Sequence, residues 1–172
     1  MSTRAPFAVP ASWAWRPSPN HKARTRAVTA IVLHADASNK IEQSMDWVRR
    51  AESQVSYHVM IGRNGAVFCV VHPDRDAWHA GVSAMDGEPF VNGFSVGVCL
   101  SNRNDGEPFP ISQRGAAADV CATLCLFYGI PVDRITTHAA VALPEGRKTD
   151  PKGLDLDEFR TWVTARMAPR VA

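Results

Sequence analysis

Two of the six histidines share one setting. His34 closes an apolar, β-branched run that begins at Ala27, and the chain then turns away through Ala35, Asp36, Ala37 and Ser38. His138 closes the shorter run Ile135-Thr136-Thr137 and also opens onto a loop, and that loop carries Lys148-Thr149-Asp150-Pro151. Two imidazoles and a carboxylate form a common catalytic zinc set, with one position left open for water. Spacing alone does not choose this triple, because six histidines offer many. His34-Ala35-Asp36 with the distant His138 also fits the H-x-D…H facial triad of a non-haem iron site.

Rigid elements must carry such ligands. The run 27–34 predicts a strand buried on both faces, which delivers its last side chain to a fixed place at the sheet end. Asn39 followed by Glu42 has capping-box spacing and predicts a helix to about residue 50. Strands are expected over 55–61 and 66–71, joined by the turn Arg63-Asn64-Gly65, and over 94–100. Residues 72–94 form a long loop, of the kind that is often functional. A long amphipathic helix is expected over 112–128, stopped by Gly129 with Pro131 beyond it. Asp155 and Glu158 repeat the capping-box spacing ahead of a last helix carrying Leu156, Phe159 and Val163 inward. These elements predict an α/β (α+β) protein with a central mixed sheet flanked by helices. One domain is expected over 27–168, preceded by an arm, residues 1–26, that Trp13 and Trp15 pin to it. The long helix weighs against the all-β barrel that usually carries the iron triad.

Composition narrows the function classes. The 172 residues are 45% hydrophobic and 21% charged, ordinary for a globular domain with a sizeable core. The net charge of +2 comes without a basic run or basic-aromatic interleaving, so no nucleic-acid partner is expected. No apolar stretch reaches the length of a membrane span, so no membrane partner is expected either. Residues 1–20 lack the apolar core of a signal peptide, which predicts a cytoplasmic location in the producing cell. Cys69, Cys99, Cys121 and Cys125 lie in apolar patterns without a C-x-x-C pair, and read as buried reduced thiols. None stands at a helix start beside a histidine, so a cysteine peptidase is not expected.

The ordered motifs Ile31-Val32-Leu33-His34, Ser56-Tyr57-His58, Arg63-Asn64-Gly65, Trp78-His79-Ala80-Gly81, Asn92, Ser95-Val96-Gly97-Val98, Thr137-His138 and Lys148-Thr149-Asp150-Pro151 resemble type 2 N-acetylmuramoyl-L-alanine amidases. That family shares a fold with peptidoglycan recognition proteins and with the phage amidases called T7-type lysozymes. Ser18-Pro19-Asn20 and Arg24 also look like the lead-in of bacterial members, and the resemblance covers about residues 17–163. It implies a zinc ion (Zn2+) on His34, His138 and Asp150, with Tyr57 beside the metal and Lys148 holding the developing oxyanion. Trp78, His79 and Asn92 become expected substrate contacts, though a plain loop role suits His79 equally. His58 points away from Tyr57 along the chain and reads as structural; His21 and His72 read as surface residues.

Two departures stand out. Ala35-Asp36 follows the first histidine where relatives usually carry a Tyr, His or Asn. Asp36 is expected to stay off the metal. Cys99 stands where many bacterial relatives carry a Glu with a catalytic role, which shifts the expected weight to Tyr57 and Lys148.

The resemblance implies a zinc amidase that cuts the lactyl–L-alanine amide bond of peptidoglycan, acting as a monomer on peptidoglycan or a muropeptide. With no signal peptide expected, a phage or prophage endolysin, released to act on the wall, is the first expectation. A cytoplasmic muropeptide-recycling amidase, a secreted effector amidase and a non-catalytic peptidoglycan-binding module of the same fold are the alternatives. The last is disfavoured because all three ligands are present.

Overall fold

The computed structural model describes residues 5–169, so residues 1–4 of the expected arm lie outside it. In chain order the strands are β1 (Ala14–Trp15), β2 (His21–Ala23), β3 (Ala30–Ala35), β4 (Val59–Ile61), β5 (Val67–Cys69), β6 (Arg75–Ala77), β7 (Ala84–Met85), β8 (Glu88–Pro89), β9 (Ser95–Leu100) and β10 (Ile135–Thr137). The helices are α1 (Ile41–Val48), α2 (Ile111–Tyr128), α3 (His138–Val141) and α4 (Leu156–Met167). Six strands form one mixed sheet in the order β1-β5-β4-β9-β3-β10. Within it β3 runs parallel to both β9 and β10, while β4 and β5 form the antiparallel hairpin.

Alternation along β3 explains why it is apolar up to its histidine. Every residue of the strand is buried. Successive side chains point to opposite faces. Ile31, Leu33 and Ala35 join the core packed under α2 and α4, with Val120, Leu124, Phe159 and Val163 opposite. Ala30 and Val32 take the other face, against Phe94 and Val141. His34 follows on that second face, at the C-terminal edge of the sheet.

Several local expectations shift for physical reasons. Asn39 does not cap α1; Lys40 holds the cap position and offers no side-chain hydrogen bond, while the Lys40 N–H donates to Ser38 Oγ at 3.1 Å. The expected strand over 55–61 is regular only from Val59; Ser56 and His58 bond Trp78 and Gly97 through backbone and side chain alike. The other capping box forms as its spacing implies: Asp155 Oδ1 accepts from the Glu158 N–H at 2.9 Å. Gly129 closes α2 at φ 71°. In the arm, Trp13 is buried and Phe7 packs edge-on to Phe127 at 5.0 Å; Trp15 is 50% exposed and holds to β5 through its backbone rather than its ring. No helix among the described residues is long and apolar enough to cross a membrane.

Candidate metal centre

The parallel register of β3 and β10 sets Leu33 beside Thr137, so the next residues, His34 and His138, emerge side by side. Thr137 also starts α3, its Oγ1 accepting from the Ala140 N–H at 3.2 Å, which holds His138 at the head of a helical turn. Asp150 returns on the following loop, where its carbonyl accepts from Ala139 N–H at 2.9 Å. The result is a buried trio. His34 Nδ1 lies 3.4 Å from Asp150 Oδ2, His138 Nδ1 lies 3.1 Å from Asp150 Oδ1, and the two imidazole centroids are 4.6 Å apart.

These separations fit a tetrahedral zinc ion, whose roughly 2.0–2.1 Å bonds place neighbouring donor atoms about 3.3 Å apart. The donor chemistry fits as well. His138 Nε2 sits 3.3 Å from the Ala80 carbonyl, which can only accept; with the proton on Nε2, the Nδ1 lone pair is turned toward the carboxylate. His34 Nδ1 is buried without a well-formed hydrogen bond among the described residues. Burial lowers the His34 imidazole to about 4, against the pull of Asp150. Burial alone would raise the Asp150 carboxyl, but the His138 and His34 rings that face it outweigh burial and hold it well below the usual carboxylate range. A neutral imidazole lone pair aimed at an ionised carboxylate calls for a cation between them.

An open cleft of about 490 Å³ lies over the trio, walled by Tyr57, Trp78, Asn104, Lys148 and Asp36. The Tyr57 ring is 5.1 Å from His34, and Cys99 stands directly across from His34 on β9. Burial, reinforced by Cys99, Asp150 and Asp36, pushes the phenol well above its usual value. Burial likewise pushes the Cys99 thiol up. Lys148 is exposed on the cleft wall. Asp36 is absent from the trio: its Oδ1 accepts from the Ser38 and Asn102 N–H groups at 3.1 and 3.0 Å. A second hollow of about 450 Å³ shares Asp36 and Tyr57 and continues past the half-exposed Trp47 of α1.

Of the expected substrate contacts, His79 edges the cleft but is mostly buried, and Asn92, off the cleft wall, is engaged by the backbone. His79 is 4% exposed, with Nδ1 3.0 Å from His34 Nε2 and Nε2 3.2 Å from Ser95 Oγ. Asn92 turns its Oδ1 to the His79 and Ala80 N–H groups, at 3.1 and 2.7 Å. Trp78 remains on the cleft wall. His58 is fully buried; its Nδ1 accepts from Gly97 N–H at 2.9 Å and its Nε2 reaches the Arg75 carbonyl at 2.9 Å. Sequence reasoning missed how Arg24 serves this region: it pairs with Asp76 at 3.1 Å and donates to the Gly93 and Ser95 carbonyls. The signal for His79 was Gly97. A glycine inside a strand marks close backbone approach, and a Cβ there would meet His79 Cγ at 2.5 Å.

A model of the family described as N-acetylmuramoyl-L-alanine amidase matches residues 24–153. The 1,6-anhydro-N-acetylmuramyl-L-alanine amidase AmpD of Salmonella typhimurium (strain SL1344) is 38% identical over 114 residues, 66% of this chain and 59% of that protein. The N-acetylmuramoyl-L-alanine amidase AmiD of Escherichia coli (strain K12) is 28% identical over 139 residues, 72% of this chain and 49% of that protein. The chain thus spans about three fifths or less of the length of these relatives. A crystal structure of an AmpD derivative superposes with a TM-score of 0.75 at 26% identity, over 90% of this chain and 96% of the other. PlyL shares the fold, with a TM-score of 0.69 at 20% identity over 92% of this chain and 99% of that chain.

Proposed function

Because the chain belongs to the N-acetylmuramoyl-L-alanine amidase family, we propose that it hydrolyses the amide bond between the lactyl group of N-acetylmuramic acid and L-alanine. The observation that carries this reading is the buried His34–His138–Asp150 trio with 3.1–3.4 Å edges at the floor of an open cleft. Water adds across the amide, leaving a lactyl carboxylate and the free amine of L-alanine.

In this reading His34, His138 and Asp150 hold zinc. The ion, when bound, supplies a Lewis acid that polarises the carbonyl and makes water a better nucleophile. One ionised carboxylate and two neutral imidazoles leave a dication with net positive charge, which preserves that acidity. Lys148, on the cleft wall, supplies a fixed positive charge to the oxygen that becomes negative in the transition state. Tyr57 keeps its proton and serves as a neutral hydrogen-bond donor in the cleft. Cys99 stays a neutral thiol behind it and takes no proton. Trp78 lines the route by which the muropeptide enters.

The substrate we favour is a soluble 1,6-anhydromuropeptide, as in a recycling amidase of the cytoplasm. Its support is the relatives, several of which are named for 1,6-anhydro-N-acetylmuramyl-L-alanine. The endolysin expectation finds no such support, since the likeness to PlyL is one of fold. The test is digestion of 1,6-anhydro-N-acetylmuramyl peptide and, separately, of purified cell walls, with and without a chelator, followed by mass spectrometry. Free L-alanine amino termini that vanish with chelator, formed faster from the soluble peptide, are expected. New reducing sugar ends would overturn the amidase reading, and faster release from intact walls would overturn the recycling one.

A further inference from the structure

Both imidazoles of the trio are backed by the same turn. His79 Nδ1 stands 3.0 Å behind His34 Nε2, and the carbonyl of the next residue, Ala80, stands 3.3 Å behind His138 Nε2. The turn is itself held. Asn92 Oδ1 accepts the N–H groups of both residues, and the His79 ring lies on the bare backbone of Gly97. Arg147 also donates to the Ala80 carbonyl, at 3.3 Å, using its second lone pair.

The proton order in this chain of contacts can be read from its far end. Ser95 Oγ lies 2.6 Å from the Val91 carbonyl, so the hydroxyl hydrogen goes there. Ser95 Oγ therefore accepts from His79 Nε2–H, which leaves a lone pair on His79 Nδ1. That lone pair accepts from His34 Nε2–H, and His34 is left with its own lone pair on Nδ1, the atom facing Asp150. A backbone carbonyl thus dictates, through two side chains, which nitrogen of His34 is free to bind an ion. Outer partners of this kind fix the tautomer and ring orientation of metal-ligating histidines.

We propose that residues 79 and 80, fixed by Asn92, are a clamp behind the metal, with His79 and Asn92 as positioning residues rather than substrate contacts. This rests on the zinc reading above. The clamp sets both ligands in the Nδ1-binding tautomer before the ion arrives, so less ordering is needed on binding.

The experiment compares zinc affinity, by chelator competition, in the wild-type protein and in His79→Leu, His79→Asn and Asn92→Ala. His79→Leu removes the acceptor and is expected to weaken zinc binding by about 10–100-fold. His79→Asn, whose amide oxygen can stand near the Nδ1 position, should recover most of that loss. Asn92→Ala should weaken binding in the same direction. Nitrogen NMR of the wild-type, zinc-loaded protein gives a reading independent of any variant's folding. It should show His34 protonated at Nε2 and His79 unprotonated at Nδ1. Wild-type zinc affinity in His79→Leu, or a proton on His79 Nδ1, would overturn the clamp. If the wild-type protein binds no zinc, the metal reading itself fails.

Discussion

At the scale of the residue, Asp150 and Asp36 make a controlled comparison. Both are carboxylates near His34, but Asp150 faces both imidazoles whereas Asp36 spends Oδ1 on two backbone N–H groups. Asp150→Ala should therefore abolish stoichiometric zinc in the purified protein, while Asp36→Ala should retain it; metal analysis of the two variants decides. The opposite pattern would favour the facial triad His34–Asp36–His138. For Lys148, whose charge faces the cleft without being part of the trio, replacement by Met should lower kcat about 10²–10³-fold, the usual cost of one oxyanion donor, with zinc content unchanged. Spacing alone leaves several triples open, and it is the family resemblance of the ordered motifs that singles out His34, His138 and Asp150. His79 and Asn92 could not be placed the same way. Whether a loop histidine faces substrate or stands behind a ligand depends on which strand residue it packs over, and that residue, Gly97, is contributed by a distant strand.

Among the elements, the parallel trio β10-β3-β9 does the positioning. β3 and β10 place the two imidazoles by register alone, and β9 contributes the floor on which the clamp rests. Gly97→Ala tests that floor. The added methyl would overlap the His79 ring, so the variant should lose about 1–3 kcal/mol of stability, typical of overpacking. It should also bind zinc more weakly, although no ligand is changed. A chemical denaturation curve and a zinc titration check both parts; wild-type zinc affinity would mean that His79 is not seated as described. By contrast, α4 stands far from the chemistry in role. Asp155→Ala removes its cap and should cost about 1 kcal/mol with kcat/KM unaltered. That cap was readable in the sequence, since Asp155 and Glu158 act within one turn. The similar spacing at Asn39 and Glu42 misled: Lys40 holds the cap position, and the Asn39 amide faces the Arg103 guanidinium instead. Local spacing names a cap only where no other partner claims the capping side chain.

Across the whole molecule, the site is built on a column of neutral imidazoles sunk into the sheet. His34, His58 and His79 are each held below the ordinary histidine value, by burial first and then by a charged neighbour or ring: His138 for His34, Arg24 for His58, His34 for His79. His58 shows what the column requires. It is fully buried, accepts from the Gly97 N–H at Nδ1, and stands 3.0 Å from the Arg24 guanidinium, so a positive charge on the ring has no place to go. An unfolded chain takes up a proton on such a ring below about pH 6.5, while the folded protein refuses it. The stability these neutral rings contribute is thus fully present above that pH and is lost as pH falls toward their folded values. Between pH 6.5 and 5 each ring can remove up to about 1.4 kcal/mol per pH unit. Asp150, whose folded carboxyl is held low, keeps its contribution until pH drops below the ordinary Asp value near 4, so it does not blur this window. Urea denaturation of the metal-free protein should accordingly show its midpoint falling steadily from pH 6.5 to 5, with a shallower fall in His58→Asn. A flat profile would mean that the rings take up protons in the folded state, and the neutral column that orients His34 would then not exist.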